Sequence, residues 1–274
     1  MPHAPSPDHR RRALCTAALL APLAARADGA DRAGTAPTPA VPILVYHRFA
    51  SSAVDSMTVH LQRLDEHLQL LERLDCAVVP LADWVAWRQG RLATLPARAV
   101  VLTVDDGHRS QFEHLAPRLR ERGWPATFFI YPSAISNAHY AMTWPQLSEL
   151  AASASLSLQS HTYWHPNLVR ERRSQAPEAF RRFAMTQLRQ SREVLERRLG
   201  RTVDLLAWPF GLSDAGLQAM AGEAGYQAAF SLGNRSATAQ DALMDLPRHL
   251  MVDGVDARQL ASRLRSAFAE EARA

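Results

Sequence analysis

Arg98-Ala99-Val100-Val101-Leu102-Thr103-Val104-Asp105-Asp106-Gly107 is the stretch that decides the fold. Its aliphatic and β-branched residues follow one another without polar alternation, the pattern of a buried strand, and the run stops at Asp-Asp-Gly. Two carboxylates therefore stand where a strand ends and its loop begins. Leu156-Ser157-Leu158-Gln159-Ser160 repeats the plan as a shorter strand, and the loop leaving it carries His161-Thr162-Tyr163-Trp164-His165.

Outward from these two segments, strand-like and helix-like stretches alternate, which suits a parallel α/β architecture. Strands are predicted at 41–47, 77–80, 125–131, 204–208, 226–231 and 246–252. Helices are predicted at 58–75, 83–89, 110–122, 144–153, 177–199, 213–224 and 257–271, with Gly123 and Gly200 as stop signals. The count fits a distorted or incomplete (β/α) barrel. In such barrels the active site lies at the C-terminal ends of the strands, where both motifs fall.

One carboxylate with two neutral imidazoles is a common ligand set for a catalytic divalent metal, because three protein ligands leave a position open. One of the two carboxylates with His161 and His165 forms such a set, and the adjacent Asp is then free to act on water. Successive strand residues point to opposite faces, so Asp105 and Asp106 converge only if the backbone turns between them. Gly107 is suited to such a turn. Asp-Asp-Gly alone is an ordinary turn and His-x-x-x-His alone is weak; together on two strand ends they complete a metal-hydrolase constellation.

These motifs resemble those of the polysaccharide deacetylase family, also called NodB-homology or carbohydrate esterase family 4. Thr103-Val104-Asp105-Asp106-Gly107 matches its first motif with Val in place of Phe, and His161, Thr162 and His165 match its second. Leu206-Ala207-Trp208-Pro209-Phe210-Gly211 stands for the third but lacks the Arg that holds the catalytic Asp in the family. Another cation must replace it, with Arg248 in Leu246-Pro247-Arg248-His249 the candidate. Val41-Pro42-Ile43-Leu44-Val45-Tyr46-His47 and Ala207-Trp208-Pro209-Phe210-Gly211 are similar to the branch that acts on poly-β-1,6-N-acetylglucosamine.

The resemblance implies a distorted (β/α) barrel and a metal-dependent hydrolase, most simply a zinc enzyme, acting on an acetylated polysaccharide. Asp105 would be the base and Asp106, His161 and His165 the metal ligands. Phe210 would offer its backbone N–H to the oxyanion. His47 inherits the general acid role, with His249 the competitor. Trp164, Tyr163, Trp208 and Trp144 are candidates for a sugar platform, or for the core. An O-acetyl esterase on another glycan, and a catalytically silent carbohydrate-binding protein of the same fold, are the alternative readings.

The 274 residues, 47% hydrophobic, suffice for one large domain, assigned to 41–274. Arg10-Arg11-Arg12, an apolar stretch over 13–24 and Ala25-Arg26-Ala27 read as a secretory signal peptide over 1–27. That apolar stretch is too short for a permanent membrane anchor, and an exported, periplasmic or extracellular protein is expected. Residues 28–40 read as a flexible tether. The formal net charge of +4 falls to +1 once Arg10, Arg11, Arg12, Arg26 and Asp8 are removed, so no nucleic-acid partner is implied. Cys76 is then the only cysteine, and no internal disulfide is expected.

Overall fold

Apolar runs buried on both faces become the strands of one curled parallel sheet. The computed structural model describes residues 40–52 and 55–272. The predicted signal peptide lies outside them, as does the tether except Ala40, which is buried.

In chain order, β1 (Ile43–Tyr46), β2 (Arg48–Ala50) and β3 (Thr58–His60) lead into α1 (Leu61–Arg73). β4 (Ala77–Val78), α2 (Leu81–Arg88) and β5 (Ala99–Asp105) follow, and a π-helical turn over Gln111–Leu115 opens α3 (Ala116–Arg122). β6 (Ala126–Ile130), α4 (Trp144–Ala151), β7 (Leu156–Ser160), α5 (Leu168–Glu171) and α6 (Pro177–Leu199) come next. The chain continues through β8 (Leu205–Ala207), α7 (Ala215–Glu223), β9 (Ala228–Phe230), β10 (His249–Leu250) and α8 (Ala257–Ala272).

The strand order is β10-β1-β5-β6-β7-β8-β9, parallel throughout, with β4 paired to the start of β5. Closure comes from the segment before β10. Leu246 N–H donates to Ala229 O at 2.9 Å, and Ser231 N–H donates to Leu246 O at 2.8 Å, while His249 pairs with Leu44 of β1. The last strand is thereby linked to the first, giving the distorted (β/α) barrel expected. The predicted strand over 246–252 shrinks to His249–Leu250. Pro247 within it has no N–H for a ladder.

Side-chain alternation divides the core in two. Ile43, Val101, Phe129, Leu205, Ala207 and Phe230 pack inside the barrel with Trp84 of α2. Leu44, Leu102, Val104, Phe128, Ile130, Leu158 and Leu206 belong to the larger cluster formed with the helices. Truncating one of these large side chains to Ala costs about 2–5 kcal/mol. The same alternation places Asp105 on the inner face beyond Val101 and Thr103.

The helix predicted from Thr58 starts later than periodicity implied. Residues 58–60 form β3 instead, pairing with β2, and the Asp55 carboxylate accepts from Met57 N–H and Thr58 Oγ1 to set that turn. The helix predicted from Ser110 is helical there but winds as a π-helical turn from Gln111, which brings that side chain under the site. Among the described residues, no helix is long and apolar enough to cross a membrane.

Candidate active site

Asp105 ends β5 and is 2% exposed. Arg248, fully buried beside β10, holds it in a fork, with Nη1 donating to Oδ1 at 2.8 Å and Nη2 to Oδ2 at 2.7 Å. The remaining guanidinium donors reach Ser231 O at 3.2 Å and Thr103 Oγ1 at 3.3 Å, and the group lies 5.4 Å over the Phe129 ring. A charge this deeply buried requires both a counter-ion and satisfied hydrogen bonds, and Arg248 has both. Burial pushes the Asp105 pKa up, but the Arg248 charge, His161 and the fork outweigh it and hold it at about 2. The candidate substitute for the third-motif Arg thus reaches the carboxylate from a different strand.

Asp106 turns back toward the same mouth because its own backbone is left-handed, with φ 80°. The sequence reading gave that turn to Gly107, which follows with φ 68°; the turn takes both residues. A Cβ on Gly107 would lie 3.2 Å from Ile135 Cδ1 and 3.3 Å from Ile130 Cδ1. Thr162, His165 and Phe210 also have φ near +60°, at 62°, 64° and 60°. Such angles in residues with a Cβ are strained by roughly 1–3 kcal/mol each and cluster at functional sites.

The turn brings Asp106 Oδ1 to 3.6 Å from Nε2 of both His161 and His165. His161 Nδ1 is 2.8 Å from Ala207 O, so it carries the proton and leaves the Nε2 lone pair free. His165 packs against Tyr131 at 5.3 Å, His161 at 4.6 Å and Phe210 at 4.8 Å between ring centroids. Burial, and next the His161 charge, push its pKa down to about 4, so the ring is neutral. One carboxylate oxygen and two imidazole nitrogens within 4.8 Å of one another fit a divalent metal. Tetrahedral ligands at about 2.0–2.1 Å from zinc lie roughly 3.4 Å apart, close to the spacing seen.

The histidine loop is held by its own polar atoms. His161 N–H donates to Ile130 O at 2.8 Å, His165 N–H to Thr162 Oγ1 at 3.2 Å, and Trp164 N–H to Gln187 Oε1 of α6 at 3.0 Å. His47, half-buried just past β1, continues the inner face of Ile43 and Val45. Burial lowers its pKa most, the Asp105 and Asp106 carboxylates raise it, and Arg248 and His161 lower it, which puts its ring in the same charged cluster.

Two predicted site residues lie elsewhere. His249 alternates with Arg248 and faces the opposite side of β10, toward α8, where Nε2 meets Ser236 Oγ at 3.2 Å. It cannot compete with His47 for a proton transfer at this mouth. Trp208 is fully buried among the outer-face residues, with Nε1 donating to Met244 O at 2.9 Å, so it belongs to the core. Of the other aromatics, Trp164 is 56% exposed and packs on Phe183 of α6 at 5.9 Å, and Phe210 is 55% exposed beside the His165 ring. Trp144 is half-buried, with the Arg198 guanidinium 5.2 Å over its ring.

Three neighbours escaped the sequence reading. Gln111 Nε2 donates to His47 O at 2.7 Å and Asp105 O at 2.5 Å, tying the ends of β1 and β5 together. Only its place four residues beyond Asp-Asp-Gly hinted at it. Arg48 Nη2 stands 3.7 Å from Asp106 Oδ2, leaving Oδ1 to the histidines. Tyr131 flanks both histidines, and its hydroxyl lies 2.9 Å from that of Tyr140.

Known proteins share this fold at low sequence identity. The profile of the family described as polysaccharide deacetylase matches residues 93–229, half of the chain. A Staphylococcus aureus protein named poly-β-1,6-N-acetyl-D-glucosamine N-deacetylase is 21% identical over 213 residues, covering 76% of this chain and 73% of that protein. Among solved structures, the Streptococcus pyogenes deacetylase PplD superposes with a TM-score of 0.73 at 21% identity, over 83% of this chain and 99% of that one. IcaB from Ammonifex degensii gives 0.70 at 21% identity, over 83% and 97%. The family match spans the strand that ends in Asp105 and Asp106, the histidine loop and the turn at Phe210, and the chain belongs to the polysaccharide deacetylase family.

Proposed function

We propose that this protein hydrolyses the N-acetyl group of an N-acetylglucosamine polysaccharide, poly-β-1,6-N-acetylglucosamine, in a zinc-dependent reaction outside the cytoplasm. The observation that carries the reading is the fork of Arg248 on Asp105, at 2.8 and 2.7 Å, beside the Asp106, His161 and His165 trio. A carboxylate held ionised next to a metal-ligand set has one evident use in a hydrolase, as a base toward water. The choice of polymer rests on the name of the staphylococcal relative and on the Tyr46-His47 and Trp208-Pro209-Phe210-Gly211 segments. Export rests on residues 1–27.

Asp106, His161 and His165 would hold the cation, which polarises the acyl carbonyl and makes water a stronger nucleophile. Asp105 accepts the proton as water adds to the acyl carbon. The Phe210 N–H donates to the carbonyl oxygen as negative charge builds on it. His47 delivers a proton to the amide nitrogen, which leaves as an amine when the carbon–nitrogen bond breaks. Acetate and a glucosamine unit are the products. Phe210, exposed against the His165 ring, and Trp164, exposed on the histidine loop, offer apolar faces to sugar rings.

The test of substrate class is acetate release from β-1,6-linked N-acetylglucosamine oligomers, chitin oligomers and acetylated xylan under one set of conditions. Preference for the first supports the proposal; preference for xylan makes the protein an esterase.

A further inference from the structure

Once Arg248 has been directed inward, its neighbour His249 faces an open cavity of about 580 Å³ between the 234–238 segment, β10 and α8. His249 is 3% exposed, and its Nδ1 is buried with no hydrogen-bond partner among the described residues. In the tautomer in which the Ser236 hydroxyl donates to Nε2, the ring proton sits on Nδ1 and lacks an acceptor. An orphaned buried donor of this kind costs about 1–3 kcal/mol unless something fills the role.

The charge around it is one-sided. Arg263 of α8, half-buried, donates to Leu250 O at 3.2 Å and lies 3.9 Å from Met251 Sδ. None of the ion pairs among the described residues involves it. Arg235 on the same cavity is, by contrast, forked onto Asp241. Burial, and next the Arg263 charge, lower the pKa of His249 to about 4, with no carboxylate opposing. Ser262 and Ser266, one helical turn apart on α8, add hydroxyls to the same wall.

We propose that this cavity is a second ligand site, separate from the deacetylation centre, which takes a small oxyanion, a carboxylate or phosphate group, between Arg263, His249 and the serine hydroxyls. A guanidinium without a carboxylate and an imidazole N–H without an acceptor are complementary to such an anion. A metal cation would meet only like charge and neutral donors. The occupant touches no reacting group, because it lies on the other face of β10 from Asp105.

The full chain is titrated with inorganic phosphate and, separately, with acetate, following the histidine ring signals by NMR and binding heat by calorimetry. His249→Gln assigns the signal. Saturable perturbation of the His249 signal is expected, and the two arms tell a phosphate site from a carboxylate site. Arg263→Gln should weaken binding by roughly tenfold or more, the equivalent of one charge-assisted hydrogen bond, and His161→Ala should leave it unchanged. If Arg263→Gln fails to fold, the Ser262→Ala, Ser266→Ala double variant on the exposed wall replaces it, with weakened binding expected at unchanged thermal stability. No saturable change at His249 with either anion overturns the proposal. So does binding that His161→Ala removes and the cavity variants leave intact, since that would place the anion at the deacetylation centre.

Discussion

Arg248 and Asp105 lie 143 positions apart in sequence, yet their side chains meet in a two-pronged contact of 2.8 and 2.7 Å inside the barrel, with neither group exposed by more than 3%. The pair places a permanent positive charge directly behind the carboxylate proposed as base, from just before β10 rather than from the segment that would carry the family's third-motif Arg.

Removing one partner leaves the other as an unpaired buried charge. Arg248→Met is predicted to lower stability by about 3–5 kcal/mol and to reduce turnover by orders of magnitude. Arg248→Lys keeps the charge but loses the fork, and should fall between Met and wild type on both counts. Chemical denaturation of Arg248→Met, Asp105→Asn and the double variant checks the coupling. The double variant should be more stable than the sum of the two losses allows.

Metal binding and proton transfer are predicted to separate. His161→Ala and His165→Ala should lose bound zinc after dialysis, because each removes one of three ligands. Asp105→Asn should retain near-stoichiometric zinc while turnover falls by about 100-fold or more, the scale of general-base catalysis. Elemental analysis beside an acetate-release assay measures both.

His47→Ala separates the amide reaction from the ester reaction. An amine leaves only with a proton, whereas an alkoxide leaves more readily. The variant should therefore lose roughly 100-fold or more on an N-acetyl substrate and much less on an O-acetyl ester of the same sugar. Equal losses on both would take His47 out of the proton-donor role. His249→Gln should leave both rates unchanged.

Stability should depend on pH through His249. Its folded pKa, about 4, lies below the ordinary value of 6.5, so the unfolded chain binds the proton first as pH falls. The resulting stability is fully present above about 6.5 and is lost progressively as pH drops toward 4, to a limit of roughly 3 kcal/mol. His67, also buried and shifted down, adds in the same direction. Melting temperatures of wild type and His249→Gln, compared in a buffer free of phosphate and carboxylate, should converge as pH falls through this window.

The strand run before Asp105 and the histidine loop were legible because their signals are local. Unbroken aliphatic residues mark a strand buried on both faces, and motif residues at its end mark the mouth of a barrel. β7 and α6 fall where periodicity placed them. The contact between Arg248 and Asp105 was only a candidate, since nothing near Leu246-Pro247-Arg248-His249 says which neighbour faces inward. That was decided by the register of β10 on β1, which pairs His249 with Leu44. The same register removed His249 from the site. Platform or core was open for Trp208 for a related reason: its position one residue past β8 sends the indole outward under the helices, while the adjacent turn exposes Phe210. Gln111 was missed because a π-helical turn, invisible to a 3.6-residue pattern, is what brings it beneath Asp105 and His47.

The central claim is tested most directly by chelating the purified protein and measuring acetate and free amine released from β-1,6-linked N-acetylglucosamine oligomers, before and after zinc is restored. Negligible release is expected from the chelated protein, and equal amounts of acetate and amine once zinc returns. Undiminished release from the fully chelated protein, or none from a zinc-loaded protein, would contradict it.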